Sequence, residues 1–380
     1  MITIAAVGDL VLDEPNPASF FAPSAPILRE ADVAIGHIEV PHSYATIQSS
    51  TDVPAPPADP EALTAVAEAG FDVVTLAGNH FFDVGTEGVL DTIEYSRKAG
   101  LITAGGGASL AAAKAPAIIE RSGTRVGVLS YNCVGPKDSW AASQKAGAAY
   151  VKVLTHYELE SATPGGPPTI YTFVAPESQL AMQRDIRTLR EEVDVVVVAL
   201  HKGIGHTPAI LADYERPLSH AAIDAGADVV IGHHAHIMRG IEWYKGAPIF
   251  HGLGNFVTVT RALTPVGGDS AERMEWAARR VRMFGFAPDP DMPTYPFHPE
   301  SRNTIIATTT FHGGRLASAG FVPCWIDTEG IPHPHGDDET GRGVAVYVEK
   351  ISRAVGFDTV FEWCGHRVLT WAGDRELERA

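Results

Sequence analysis

The sequence predicts an α/β fold in which helices alternate with buried strands that carry polar side chains at their carboxyl ends. Three stretches share one pattern, an amphipathic helical segment followed by a run of β-branched residues; they span residues 59–80, 177–203 and 214–236. Strands that are apolar on both faces are typical of a sheet covered on both sides. Because the spacing between the three copies is irregular, they indicate βα units rather than solenoid repeats.

Length and composition indicate one globular domain over residues 1–380 with a sizeable core. The chain has 380 residues, of which 45% are hydrophobic and 20% charged, values usual for a globular protein. Two long stretches with few periodic apolar runs, at about 133–182 and 258–303, are predicted to be inserted loops near the mouth of an active site. The second contains a helical pattern, "DSAERMEWAARRVR", at 269–282.

Charge and cysteine content exclude several classes of partner. A formal charge of −17 argues against nucleic acid and against an anionic membrane, although bound cations would still allow an anionic substrate. No apolar run reaches eighteen residues, and the opening "MITIAAVGDL" predicts a first strand rather than a signal peptide. Three scattered cysteines without CxxC spacing predict reduced thiols in a cytoplasmic protein.

Polar side chains of the metal-binding type stand at the ends of five predicted strands. In open α/β sheets, ligands bind at the carboxyl ends of strands, so these side chains are predicted to meet at one rim. On the strand "ADVAIGHIEVP", two of them lie two residues apart and therefore face the same side. In chain order the side chains are Asp9, His37 and Glu39, Asn79 and His80, His201, and finally His233, His234 and His236.

This combination of carboxylate, amide and imidazole groups suits divalent metal ions. Mn, Zn, Fe, Mg or Ca could bind there, and a pair of ions would share one bridging carboxylate. Such ions activate water and polarise a phosphoryl or carbonyl oxygen. One histidine alone is more simply a core residue, but this many polar groups at a partly buried rim would be costly without a ligand.

Successive blocks of the sequence resemble those of CapA-type proteins, the poly-γ-glutamate capsule-synthesis-like members of the calcineurin-like metallophosphoesterase superfamily. The resemblance covers about residues 3–258. It implies a calcineurin-like metallophosphatase fold, with two packed sheets flanked by helices in four layers (α/β/β/α) and metals at the strand ends. The blocks are "AVGDL", "GHIEVP", "LAGNHFFDVGTEGVLDT", "VVVVALHKG" and "DAGADVVIGHHAHIMRGIEWYKGAPIFHGLGNF".

The resemblance also implies roles for individual residues. Glu39 stands where the superfamily has a bridging carboxylate, His80 resembles the catalytic histidine, and Asp83 would be the hydrogen-bond partner of His80. His233 falls at a variable position and is expected to be structural or to support the ligands. The implied metal ligands are Asp9, Glu39, Asn79, His201, His234 and His236.

Three departures from the family pattern leave roles open. The first block reads Asp9-Leu10-Val11 instead of Asp-x-His, so one imidazole is absent. His37 replaces a usual asparagine and could supply that imidazole, act as a catalytic base or only form hydrogen bonds. Lys202 replaces a usual tryptophan and could bind a substrate carboxylate or phosphate, or could be a solvated side chain.

Two further segments are candidates for contact with the substrate or the metal rim. The stretch "PTYPFHPESRN" contains Tyr295, His298 and Arg302. It could fold over the metals and bind the substrate, with Arg302 suited to a carboxylate, or it could be a rigid surface loop. "GLGNF" at 252–256 predicts a tight turn in which Asn255 bonds the backbone.

Three functions are compatible with these residues. The first is a metal-dependent hydrolase that cleaves a phosphoester or a peptide or γ-glutamyl amide, with His80 protonating the leaving group. The second is a metal-dependent epimerase of peptides or amino acids, in which His80 or His37 removes a Cα proton. The third is a non-catalytic accessory protein of poly-γ-glutamate or capsule biosynthesis. For either enzyme, the expected partner is a small molecule or peptide that carries a carboxylate or phosphate.

Overall fold

A computed structural model describes residues 1–47, 55–158, 169–264 and 269–373. The strands are β1 (Ile2–Leu12), β2 (Val33–Ile38), β3 (Val73–Thr75), β4 (Ile102–Ala104), β5 (Gly106–Gly107), β6 (Ala117–Arg121), β7 (Thr124–Asn132), β8 (Gly147–Ala148), β9 (Val153–Glu158), β10 (Thr169–Val174), β11 (Val195–His201), β12 (Val229–His233), β13 (Ile241–Tyr244), β14 (Ala247–Phe250), β15 (Asn255–Val259), β16 (Asn303–His312), β17 (Arg315–Ile326), β18 (Pro332–Pro334), β19 (Val360–Cys364) and β20 (Arg367–Trp371). The helices are α1 (Pro17–Phe21), α2 (Ala25–Glu30), α3 (Ala62–Ala69), α4 (Gly85–Lys98), α5 (Leu110–Ala113), α6 (Pro176–Arg190), α7 (Glu215–Asp224), α8 (Ala271–Phe284) and α9 (Glu339–Ala354).

In the larger sheet, β1 has parallel neighbours in β2 and β15 and an antiparallel neighbour in β16. Its order is β19-β20-β17-β16-β1-β2-β3-β4, with β15 also paired to β1 and β18 to β17. Strands β1 to β4 run parallel to one another, while β16, β17 and β20 pair antiparallel. The parallel half is therefore the part of this sheet that ends in the predicted polar residues.

The smaller sheet has the order β13-β14-β12-β11-β7-β6. Its central strands β7, β11, β12 and β14 are parallel. Two short antiparallel pairs, β5 with β8 and β9 with β10, lie outside both sheets.

The two sheets pack face to face, and helices cover the outer face of each sheet. One apolar cluster combines residues of both sheets, such as Ile4 and Ile35 from the larger and Val197 and Ile231 from the smaller. A second joins the larger sheet to α1–α4, and a third joins the smaller sheet to α6 and α7. The predicted α/β fold with two sheets between helical layers is confirmed.

The period-2 alternation of each strand decides which polar residues face the gap between the sheets. In β2, Val33 and Ile35 belong to the cluster between the sheets, whereas Ala34 and Ile38 contact the helices. His37 has the same parity as Ile35, so it lies at the end of the inward-facing row. The same rule places His201 of β11 and His233 of β12 on the inward faces of their strands.

The structure gives regular elements within both predicted insertions. The first contains β8, β9 and β10, and its residues 159–168 lie outside the described part. The second contains α8, as the pattern at 269–282 predicts, and its residues 265–268 also lie outside the described part. Among the helices that the structure describes, none has both the length and the apolar surface needed to cross a bilayer.

Candidate metal centre

A β-bulge turns Asp9 toward the gap between the sheets. Ile4 and Ala6 of β1 face that gap, so uninterrupted alternation would point residue 9 at the helices. The pairing of β1 with β2 shifts register between Ala6 and Asp9, and beyond the shift Leu10 packs with the helix-facing cluster. The bulge therefore reverses the parity of the strand and brings the buried Asp9 carboxyl into the site.

The strand ends of the two sheets bring the predicted ligands together as one buried cluster. Among the described residues, three overlapping groups of side chains each place their ligand atoms within 4.8 Å of one another. Asp9, Glu39 and His201 each belong to two of these groups, which is the sharing expected of neighbouring metal positions. The groups are Asp9, His37 and His201; Glu39, His201 and His234; and Asp9, Glu39 and His236.

The loop after β12 contributes two histidines in an unusual backbone conformation. His234 has φ 87° and His236 has φ 53°, a left-handed region that residues other than glycine seldom occupy. The backbone N–H of His234 lies 3.3 Å from Asp9 Oδ2, and His236 Nε2 lies 3.2 Å from Glu39 Oε1. This backbone conformation directs both imidazoles toward the carboxylates.

Several buried atoms of this cluster that could bind a metal ion have no hydrogen-bond partner among the described residues; they are His37 Nε2, His201 Nδ1 and Glu39 Oε2. His37 shows why. The Thr75 hydroxyl donates to the carbonyl of Gly36, so Thr75 Oγ1 accepts the proton of His37 Nδ1 at 2.9 Å. The lone pair of His37 is then on Nε2, which points to no acceptor or donor but stands in the group with Asp9 and His201. Unpaired buried atoms of this kind fit a divalent cation.

The ionisation of the cluster also fits a cation. Burial lowers the pKa of His37 and of His201 well below the usual value, which keeps both in the neutral form that binds metals. Burial and the charge of Glu39 raise the pKa of Asp9. Burial opposes the charged form of Glu39 as well, but His236 holds its pKa at about 2. Although burial disfavours the imidazolium, Glu39 and Asp9 raise the pKa of His236 to about 9. The proton on His236 thus supplies positive charge where a metal ion would otherwise supply it.

The block "GNH" places Asn79 and His80 at the edge of the cluster. Asn79 Oδ1 accepts a hydrogen bond from His201 Nε2 at 2.8 Å. His80 Nδ1 donates to Asp83 Oδ2 at 2.7 Å, an arrangement that fixes the ring and leaves Nε2 as the nitrogen for proton exchange. The structure therefore brings His80 and Asp83 together as predicted.

Two further histidines of the predicted rim lie deeper than the cavity. His37 is fully buried and is absent from the lining of the cavity, which places it with the ligands rather than with a catalytic base. His233 Nε2 donates to the carbonyl of Val7 at 3.1 Å, and its ring stacks on His37 with centroids 4.7 Å apart. His233 belongs to none of the three ligand groups and has a supporting position.

The structure corrects the prediction that Lys202 binds substrate. Its side chain is completely buried and forms an ion pair with Glu215 at 3.0 Å. Nζ also donates to His251 Nδ1 at 3.1 Å. A lysine enclosed by these partners cannot reach a ligand in the cavity.

The stretch 293–303 lines the cavity beside the cluster through Phe297 and not through the three residues predicted to bind the substrate, which corrects that prediction. Tyr295 is buried, and its hydroxyl accepts from Asn255 and donates to the carbonyl of Ser301. Arg302 donates to the carbonyl of Ile326 and stacks on Trp325. His298 caps the following turn by accepting from Glu300 N–H. Arg302, His298 and Tyr295 line a separate, smaller cavity.

The tight turn predicted for "GLGNF" is present, with Gly254 at φ 68°, but Asn255 contacts side chains instead of the backbone. Its Oδ1 accepts from His236 Nδ1 at 2.9 Å, and its Nδ2 donates to Tyr295 at 3.0 Å. Asn255 therefore orients His236 in the way that residues behind a metal ligand do.

A cavity of about 280 Å³ opens beside the cluster and is reached by Glu39, Asn79, His80, His234 and His236. Two residues that the sequence analysis missed also line it, namely His206 and Arg280. His206 has φ 54° and its ring stacks on His236 at 5.4 Å. The signal for both was weak, because His206 lies in the loop after β11 and Arg280 is one of four arginines in the helical pattern of the second insertion.

Comparison with known proteins identifies the family to which this chain belongs. A family model described as "Bacterial capsule synthesis protein PGA_cap" matches residues 3–260. The chain is 29% identical over 269 residues to PGA biosynthesis protein CapA of Bacillus subtilis (68% of this chain, 63% of that protein). It is 28% identical over 272 residues to capsule biosynthesis protein CapA of Bacillus anthracis (67% and 59%). The matches span less than two thirds of the length of these two Bacillus relatives.

Solved structures with similar folds include the calcineurin-like phosphoesterase YfkN of Bacillus subtilis, with a TM-score of 0.40, 12% identity and coverage of 93% of this chain and 97% of that one. A putative 5′-nucleotidase of Staphylococcus aureus has a TM-score of 0.44 and 12% identity, covering 92% of this chain and 58% of that one. The family model itself includes all the strand ends that form the cluster and covers well over half of the 380 residues. The chain belongs to the bacterial capsule synthesis protein family PGA_cap.

Proposed function

We propose that this protein is a metal-dependent hydrolase that holds two divalent ions at the ends of β1, β2, β11 and β12. The observation that carries the proposal is the buried carboxylate–imidazole cluster with unpartnered donor atoms. The cluster opens onto a cavity that is also lined by His80. An ion site, an enclosed space for a substrate and a candidate proton donor thus occur together.

The residues that would hold the ions are those of the three overlapping groups, together with Asn79. When bound, the ions would acidify a water molecule and polarise the oxygen of the bond to be cleaved. The protein's own contribution is proton transfer and orientation. Asp83 holds His80 with the proton on Nδ1, so that Nε2 can exchange a proton with the leaving group.

The substrate class that this site supports is a phosphoester or a peptide or γ-glutamyl amide. Phosphoester cleavage is favoured by the resemblance of the ligand set to metallophosphoesterases. Amide cleavage is favoured by the relatives, which are described as proteins of PGA and capsule biosynthesis. A non-catalytic role is a second candidate, since a relative in Mycobacterium tuberculosis is described as a probable polyglutamine synthesis accessory protein.

The test combines metal analysis with assays on two chromogenic substrates. Purified protein is expected to contain, or to take up on reconstitution with Mn²⁺ or Zn²⁺, about two equivalents of metal, as a dinuclear site requires. The double variant His234→Ala/His236→Ala should lose this metal. The metal-loaded protein is then assayed with p-nitrophenyl phosphate and with γ-glutamyl-p-nitroanilide.

His80→Ala should lower kcat by about 10²–10⁴-fold with metal content unchanged. His312→Ala, in which an exposed histidine is removed, is the matched control and should behave as the wild type. If solvent deuterium enters a peptide that is not cleaved, the reaction is epimerisation and not hydrolysis. Absence of metal after reconstitution would eliminate the enzyme and favour the accessory role.

A further inference from the structure

Arg280 is a buried arginine in the cavity beside the candidate metal centre, and it lacks an acidic partner in the part of the chain that the structure describes. It lies on α8 and is 8% exposed, and its Nε has no hydrogen-bond partner within the described ranges. None of the ion pairs among the described residues includes it, whereas Arg273 on the same helix pairs with Asp269 at 2.8 Å. A buried guanidinium is costly unless an anion accompanies it, so the missing partner is expected to be a ligand.

The helix that carries Arg280 is fixed against the rest of the cavity wall. Ser270 caps its first turn by accepting from the backbone N–H of Arg273, and the Arg273 guanidinium donates to the carbonyl of Ala262 at 2.8 Å. Trp276 and Phe284, one turn before and one turn after Arg280, lie on the same helix face. Their ring centroids are 5.2 and 5.8 Å from the Arg280 guanidinium carbon. The guanidinium therefore lies within cation–π distance of both rings.

The cavity between Arg280 and the metal cluster has apolar walls. Val11, Val40, Leu263, Phe284 and Phe297 form part of its lining. Glu39, His234 and His236 reach it from the cluster. A ligand that touches both ends must have a short apolar body between a group at the metals and a group at Arg280.

The charge at the arginine end fits a carboxylate better than a phosphate. Arg280 is the sole lysine or arginine among the described residues that line this cavity. At this end the cavity offers one guanidinium, whose planar fork matches the two oxygens of a carboxylate, whereas a phosphate monoester carries nearly two charges at neutral pH.

We propose that Arg280 binds a carboxylate of the substrate across an apolar spacer from the bond that reacts at the metal cluster. The substrate class is then a small carboxylic acid or a peptide with a nearby terminal or side-chain carboxylate. The inference rests on the proposed function for the identity of the reacting end. Arg280 takes the role that the sequence alone suggested for Arg302.

The test is a binding measurement with phenylacetate, which has one carboxylate and an apolar body, and with its neutral isostere phenylacetamide. Isothermal titration is carried out on the Mn²⁺-loaded protein and again after chelation, because in the chelated protein no metal can bind the acid. Wild type is compared with Arg280→Ala, Arg280→Lys and the control Arg279→Ala, which changes the exposed neighbour on the same helix. Circular dichroism verifies that each variant is folded.

Phenylacetate is expected to bind the wild type about 10- to 100-fold more tightly than phenylacetamide, as a charge-assisted bidentate contact provides. In the chelated protein, Arg280→Ala should remove this preference, Arg280→Lys should restore part of it, and Arg279→Ala should leave it unchanged. Equal binding of acid and amide by the chelated wild type, or full retention of the preference in chelated Arg280→Ala, overturns the inference. Tighter, Arg280-dependent binding of phenyl phosphate also overturns it in favour of phosphate.

The readout separates this inference from the proposed function. If no hydrolysis is found but the Arg280-dependent preference for the acid persists in the chelated protein, the carboxylate site stands and the hydrolase does not. If hydrolysis is found with equal rates for acidic and neutral substrates and Arg280→Ala has no effect on binding, the hydrolase stands and the carboxylate site does not.

Discussion

Replacement of Lys202 by methionine tests whether this residue supports the fold or contacts the substrate. In the structure its ammonium group is enclosed and pairs with Glu215, while the neighbouring His251 accepts a second hydrogen bond from it. Lys202→Met would leave the Glu215 carboxylate, which is 1% exposed, without its cation. Breaking a buried pair by removing one partner destabilises a protein by about 3–5 kcal/mol.

This free energy corresponds to a measurable change in melting temperature. With an unfolding entropy of about 2.1 cal/mol/K per residue and 380 residues, the chain has roughly 0.8 kcal/mol/K, so Tm should fall by about 4–6 °C. Differential scanning calorimetry measures the change. Lys245→Met is the control, because Lys245 forms an exposed ion pair with Asp224 and surface pairs contribute little.

The double variant Lys202→Met/Glu215→Gln isolates the cause. It removes the uncompensated charge and should recover at least half of the lost Tm, since a buried pair replaced as a whole is often close to neutral. The reasoning is refuted if Lys202→Met melts like Lys245→Met. A change in substrate binding at unchanged Tm would return Lys202 to the substrate role that the sequence left open.

Two more consequences follow from buried polar groups. Asn255→Leu removes the acceptor that orients His236 and should weaken metal binding about 10- to 100-fold in a titration with Mn²⁺ or Zn²⁺; unchanged affinity would contradict this role. Burial holds the pKa of His42 and of His251 at about 4 in the folded protein, below the value of about 6.5 that applies on unfolding. The unfolded chain therefore takes up these protons first, and stability falls as pH decreases from about 6.5 to 4, by about 2–3 kcal/mol for each histidine at pH 4.5. Urea unfolding at pH 7 and 4.5 measures the loss, which should be smaller for His42→Leu, and an equal loss in wild type and variant would show that His42 does not contribute.

The strands and most of the ligand cluster were predictable because local rules decide them. β11 and β12 each begin with a run of β-branched residues, and such runs form strands with both faces buried. Once a strand is assigned, its alternation assigns the faces, which is why the prediction that His37 and Glu39 face the same side needed no tertiary information. The predicted convergence of strand ends followed from the parallel arrangement alone.

The orientation of Asp9 could not be derived in this way. Alternation from Ile4 and Ala6 points residue 9 away from the gap between the sheets, so the strand-end position of Asp9 predicted that it lies at the rim but not that its side chain faces the other ligands. The bulge that reverses it depends on close packing of β1 against the turn at 252–255, where a Cβ on Gly8 would lie 2.0 Å from the carbonyl oxygen of Gly254. A contact between residues so far apart in the chain leaves no periodic pattern in the sequence.

The roles of two arginines in the second insertion, Arg280 and Arg302, could not be assigned from the sequence either. Arg302 and Arg280 are equally suited by chemistry to bind a carboxylate, and nothing in their neighbouring residues decides between them. In the structure, Arg302 donates to the carbonyl of Ile326 and lies over the ring of Trp325. Its hydrogen-bonding capacity is therefore partly used within the protein. Arg280 is buried at the cavity, and its Nε has no hydrogen-bond partner among the residues that the structure describes. A buried charge without a partner lowers stability, and the retention of such a charge beside the candidate ligand cluster is the observation behind the proposed carboxylate site. What distinguishes the two arginines is whether each has a partner within the protein, and this is decided only in the folded chain.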